Sequence, residues 1–206
     1  MLRLIVREIQ DHSVHFGACC VLSAIIVSVL IRMIVHGITG TGVSIAYVAT
    51  GFLFLCFGIL GAAQTYGDRA NRVSTLLSTQ AVTRSRILAA RVLTGIVIVL
   101  VTLIPVLVVA VILLRLNEVP LELYSRMVWD ISIVLALTGL ACHGMGLLIG
   151  WTSSKSSLIV GFLCLMLLLA SLVLVKGFGP SAMALVALLI LAAWGRIWHT
   201  FTSTSL

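Results

Sequence analysis

Charge is what this chain has least of. Of its 206 residues only 9% are charged, and six are acidic. A water-soluble protein of that length needs far more charge to coat its surface, so a soluble globular class is excluded. The scarcity of acids argues against an ion-coupled carrier too, which needs a carboxylate at mid-membrane depth. Asp130 comes nearest, and it sits beside Trp129, an interfacial type of residue. Other absences are just as restrictive. No Gly-x-x-x-x-Gly-Lys-Ser/Thr phosphate loop, paired-carboxylate site or His-Glu-x-x-His helix occurs, so the chain does not hydrolyse nucleotide by itself and offers no catalytic residue. Gly37, Gly40 and Gly42 form a turn, with no lysine or following strand to suggest phosphate binding. The net charge of +7 comes without a basic stripe interleaved with aromatics, which excludes nucleic acid as a partner.

Cysteine is present in an odd number, five, and Cys19, Cys20, Cys56, Cys142 and Cys164 all fall in apolar runs. There a thiol behaves as a small hydrophobe, and no structural disulfide is expected. Neighbouring Cys142 and His143 point about 100° apart on a helix. With no second ligand cluster and no Cys-x-x-Cys-His signature, neither a metal nor a haem cofactor is expected.

What remains is hydrophobic: 61% of the chain, with only three prolines. Six segments have the length and composition of membrane spans: Phe16 to Val35, Val43 to Ala63, Ile87 to Leu114, Trp129 to Gly150, Leu158 to Val175 and Ala182 to Trp198. The fold class is therefore an all-α integral membrane protein, one transmembrane domain over residues 1–206. Pro105 should kink the third span, with neighbouring helices satisfying the carbonyl that it leaves free. Trp129 and Trp151 lie 22 positions apart, about 33 Å of helix, and suit two headgroup-level anchors. On the fourth span Gly139, Gly146 and Gly150 line one side, and the last two make a Gly-x-x-x-Gly spacing that lets another helix approach. His143, Gln64 and Thr65 are the polar groups expected to face the bundle interior. Residues 1–15 read as an amphipathic interfacial helix, with Leu2, Ile5, Val6 and Ile9 on one side, rather than as a cleaved signal peptide.

One substantial polar island interrupts the first two thirds of the chain, residues 64–86 and their continuation to Arg91. It carries Arg69, Arg72, Arg84, Arg86 and Arg91 against the single acid Asp68. With the N-terminus inside, nine basic residues (Arg3, Arg7, Arg69, Arg72, Arg84, Arg86, Arg91, Lys155, Arg196) fall on the cytoplasmic side and four (Arg32, Arg115, Arg126, Lys176) outside. The positive-inside rule thus favours cytoplasmic N- and C-termini. From Asp68 to Thr83 the pattern fits a short amphipathic helix. Val73, Leu76, Leu77 and Ala81 share one face, and Asp68 can pair with Arg72 at i, i+4.

The run Leu76-Leu77-Ser78-Thr79-Gln80-Ala81-Val82-Thr83-Arg84-Ser85-Arg86-Ile87-Leu88 resembles the segment after the second span of type-2 ABC transporter permeases. Asp68 takes the acidic place of that pattern, Leu76 and Leu77 its leucines, and Val82, Thr83 and Arg84 its Val-Ser-Arg. Arg72, Thr75 and Ala81 stand where glycine, glutamate and proline are usual. The resemblance implies a half-transporter, an exporter, in a bacterial inner (plasma) membrane. It would pair with a second permease subunit, the same or homologous, and with two copies of an ATP-binding cassette subunit. The short helix would be the coupling helix, with Asp68, Arg69, Arg72, Val73, Leu76, Leu77, Val82, Thr83, Arg84 and Arg86 meeting the ATPase. A haem-exporter-like permease of cytochrome c maturation is a branch of the same reading. A membrane-embedded lipid-modifying enzyme and a non-transport anchoring subunit are alternatives of other classes, and an ordinary basic loop is the plainest account of the island.

Overall fold

The computed structural model describes residues 2–37, 39–70, 84–116, 121–150, 156, 160–161 and 180–203. Among them the chain forms six helices: α1 (Leu2–Asp11), α2 (Ser13–His36), α3 (Gly40–Ala70), α4 (Arg84–Leu116), α5 (Leu121–Gly150) and α6 (Pro180–Ser203). Four contain stretches long and apolar enough to cross a bilayer, Ser13–His36, Gly40–Tyr66, Ser85–Leu113 and Val128–Gly150, and Met183–His199 is a shorter apolar helix. This makes the protein an integral membrane protein. The expected fifth span, Leu158 to Val175, lies almost wholly outside the described residues.

Burial follows helical spacing. On α2 the buried residues are Cys19, Ser23, Ile26 and Met33, one stripe of the helix. The other faces expose Val21, Ile25, Ile31 and Val35. A helix apolar on both its inward and outward faces is what hydrocarbon surroundings select. The central core joins Cys19 and Ile26 of α2 to Leu53, Phe57 and Leu60 of α3, Ile98, Val99 and Leu103 of α4, Ala141 and Cys142 of α5, and Val186 and Ile190 of α6. Cys19, Cys20, Cys56 and Cys142 are free thiols.

The most extensive helix contact is between α3 and α5. At its closest point Gly146 faces the backbone of Gly58, where a β-carbon would collide with the Gly58 carbonyl. Gly150 meets Ala62 and Thr65 one turn on, so the Gly-x-x-x-Gly face of α5 receives α3. Rising numbers on α3 meet rising numbers on α5, so the two helices run in the same direction. The same holds for α5 and α6, where Gly144 meets Trp194 and Leu147 clusters with Ile197. The start of α2 and the end of α6 consequently lie at one end of the bundle.

Helix bounds differ from the expected ones, and two of the differences bear on the polar end of the bundle. The interfacial helix closes at Asp11 rather than at residue 15, because His12 leaves the helical region (φ −112°, ψ 26°) and α2 begins at Ser13. At the other end of the second span α3 continues past Ala63 to Ala70, since polar residues extend a helix into water as readily as apolar ones extend it through lipid. Pro105 lies inside α4, and its ring removes the N–H that would bond to Val101. The neighbouring carbonyl, that of Thr102, accepts a 2.7 Å bond from the Ser23 hydroxyl of α2.

Candidate functional site

The expected coupling residues divide. Asp68 and Arg69 fall in the last turn of α3, Arg84 opens α4, and Arg86, in its first turn, is exposed. Arg72, Val73, Leu76, Leu77, Val82 and Thr83 lie outside the described residues. The end of α3 and the start of α4, which flank this segment, lie at the same end of the bundle as α1.

At that end the structure brings together groups that are far apart in sequence. Arg91, two turns into α4 and only 3% exposed, is paired with Glu8 of α1 at 3.2 Å (Nε to Oε1). Glu8 also has His12 within 3.8 Å one turn along the chain, and the His12 ring meets His15 edge-on. Burial holds the His12 imidazole below its ordinary pKa of 6.5; the Glu8 carboxylate opposes that shift, while His15 and Arg91 add to it. The ion pair ties α1 to the start of α4, 83 positions away in sequence. Arg91 was legible as an interfacial arginine, but nothing in the periodicity names its partner.

Deeper in the bundle, Gln64 of α3 and His143 of α5 are each 1% exposed and hydrogen-bonded at 3.1 Å. A β-carbon at Gly95 of α4 would collide with the His143 ring, so glycine there is what admits the imidazole. One residue along α3, the Thr65 hydroxyl donates to the Leu147 carbonyl of α5 at 3.1 Å. Gln64 Nε2, His143 Nδ1 and Trp194 Nε1 are buried without a hydrogen-bond partner among the described residues. The indole nitrogen of Trp194 lies over Gly144, on a different side of α5 from the His143 ring.

No family model, curated protein or solved structure matches this chain. Among the described residues no group of three or more His, Cys, Asp or Glu side chains could hold a metal ion. The polar groups described tie helices together, α1 to α4 through Glu8 and Arg91 and α3 to α5 through Gln64 and His143.

Proposed function

We propose that the chain is the transmembrane permease subunit of an ABC-2 type transporter, an exporter whose ATP hydrolysis is performed by separate subunits. The observation that supports this reading is where the flanking helices stop: α3 ends at Ala70 and α4 begins at Arg84, at the end of the bundle where α1 is tied to α4 by Glu8 and Arg91. A segment so placed can receive a push from a soluble partner and deliver it to two membrane-length helices at once. Its sequence resemblance to the permease coupling region adds the identity of that partner, an ATP-binding cassette protein in two copies, with a second permease subunit completing the path.

The directions of the helices agree with a six-span layout. Because α5 and α6 run the same way, a crossing by Leu158 to Val175 between them would give six spans and put both termini on one side. The positive-inside count favours the cytoplasm as that side, and the permease resemblance implies that the membrane is a bacterial inner one. On this reading Val73, Leu76 and Leu77 dock into the ATPase, and Asp68, Arg69, Arg72, Val82, Thr83, Arg84 and Arg86 frame the contact.

The test is association. The chain should copurify with a protein carrying a phosphate loop, and the assembly, not the chain alone, should hydrolyse ATP. Replacing Leu76 and Leu77 with Asp would place unpaired charge in the contact. The expected loss is on the order of a thousandfold in affinity, about 4 kcal/mol, with insertion into the membrane unchanged. Arg84→Ala and Arg86→Ala should act more mildly, through encounter rate and salt dependence. Full association and coupled hydrolysis in the double Asp variant would overturn the docking role.

A further inference from the structure

Three features that bend helices meet within one turn of α4. Pro105 removes an N–H from the helical ladder. The Thr102 hydroxyl bonds back to the carbonyls of Ile98 at 2.7 Å and Val99 at 3.2 Å, an arrangement that weakens a helix slightly and often curves it. The Ser23 hydroxyl then enters from α2 and donates at 2.7 Å to the Thr102 carbonyl. In a regular helix that carbonyl serves the Val106 N–H, and a side chain inserted into the ladder is a recognised cause of kinks. The two arms beside this turn are also held differently. On the inner arm Leu88, Ala90, Arg91, Thr94, Ile98 and Val99 are buried, and Arg91 is paired with Glu8. On the outer arm, among the described side chains from Val106 to Leu116, only Val106 and Leu113 are buried.

We propose that α4 hinges at Thr102 to Pro105, with the Ser23 hydroxyl of α2 as its latch, so that the outer arm swings while the inner arm stays fixed to the bundle. The polar groups at the joint have two complete arrangements. With the latch closed, the two lone pairs of the Thr102 carbonyl serve Ser23 and the Val106 N–H together. With it open, the carbonyl serves Val106 alone, and the Ser23 hydroxyl turns to the carbonyl of Cys19, four residues back on its own helix. Ser28 and Thr50 already bond in that way, to Ala24 and Ala46.

Opening the latch therefore strands neither the hydroxyl nor the carbonyl, which matters because an unsatisfied polar group in hydrocarbon is costly. A valine or alanine at position 23 would offer α4 no such exchange. The motion belongs to the hinge class, in which a few residues absorb the change and the arms on either side stay regular. The inner arm is the one that begins beside the polar segment at Arg84. Use of the hinge in transport rests on the permease reading; the hinge itself does not.

The experiment measures the two arms separately, by spin-label distance distributions on the whole chain in lipid bilayers, with the native cysteines replaced by alanine. One label pair, at Tyr47 and Ile112, joins α3 to the outer arm; the other, at Tyr66 and Leu93, joins α3 to the inner arm, and all four side chains are exposed. Ile112 lies seven residues beyond Pro105, about 11 Å of helix, so a change of about 20° in the bend moves it by about 4 Å. The expected result is an outer-pair distribution wider than the inner one by about that distance. Pro105→Ala should narrow it to the inner-pair width, and Ser23→Ala should shift its balance, while the inner pair stays unmoved. An outer pair as narrow as the inner pair would overturn the proposal, as would a width that Pro105→Ala leaves unchanged. The comparison of the two pairs needs neither variant, so poor folding of Pro105→Ala or Ser23→Ala does not decide the matter. A rigid outer arm would leave the permease reading standing, and failure to bind an ATPase would leave the hinge standing.

Discussion

At Gly146 a β-carbon would strike the carbonyl of Gly58, and backbone cannot swing aside as a flexible side chain can. Gly146→Ala should therefore weaken the α3–α5 contact by roughly 1–3 kcal/mol, the usual penalty of overpacking. At Gly51 an added β-carbon meets nothing within 4 Å. Gly51→Ala should be neutral or stabilising by up to about 1 kcal/mol, from alanine's better helix propensity. Thermal melting of both variants in one detergent checks the contrast, and equal shifts would remove the packing role of Gly146. The Gln64 and His143 bond makes a second residue-scale prediction. His143→Leu leaves Gln64 Oε1 unpaired and should cost about 1–3 kcal/mol. Combining it with Gln64→Leu should cost less than the sum of the single changes, because the partners are lost together. Additive costs would mean that the two side chains are stabilised separately. Which residues face inward was legible in the sequence, since a glutamine and a histidine amid apolar spans have nowhere else to go. Their partnership across 79 positions was not, because periodicity identifies a face without naming the helix opposite.

At the scale of elements, α1 is where charge chemistry and helix placement meet. Its contact with α4 includes the Glu8–Arg91 ion pair, and His12 beside Glu8 should make it sensitive to pH. The folded pKa of His12 lies below 6.5 because burial disfavours the charged ring. Undocked α1 therefore binds the proton more readily than docked α1. The His12 contribution to docking is complete above pH 6.5 and is lost as pH falls through the lower, folded value. A spin-label distance between α1 and α4, followed from pH 8 to pH 5, should lengthen on acidification, and His12→Asn should flatten that response at its upper end. Glu8→Gln should weaken docking at all these pH values by roughly 1.5–3 kcal/mol, the worth of a hydrogen bond to a charged group. An unchanged distance in Glu8→Gln would show that α1 is held by its apolar contacts alone. Apolar run length located α2 to α6 because about 20 residues must cross the hydrocarbon. It could not fix their ends: α3 runs to Ala70 and α5 starts at Leu121, where helix continues in water under local preferences that hydropathy does not record.

At the scale of the whole molecule, the proposed orientation, with both termini cytoplasmic, draws on charge and on helix direction. Arginine and lysine divide nine to four between the sides when the N-terminus is placed inside. Separately, the parallel course of α5 and α6 puts the start of α2 and the end of α6 at one end of the bundle. On the proposed orientation the charge count picks the cytoplasmic side, while the helix directions show only that the start of α2 and the end of α6 share an end of the bundle. The sequence could supply the first because positive residues act individually on orientation, but the second needs contacts between distant segments, such as Gly144 with Trp194. Single cysteines in a cysteine-free background provide the joint test. Positions Asn71 and Ser154 should react with a membrane-impermeant thiol reagent only from the cytoplasmic side, and Asn117 only from outside. If Asn71 instead reacted from outside, the basic segment would face away from every source of ATP. Leu76 and Leu77 could then contact no cytoplasmic ATPase, and the helix ties at Glu8–Arg91 and Gln64–His143 would have to be explained as anchoring alone.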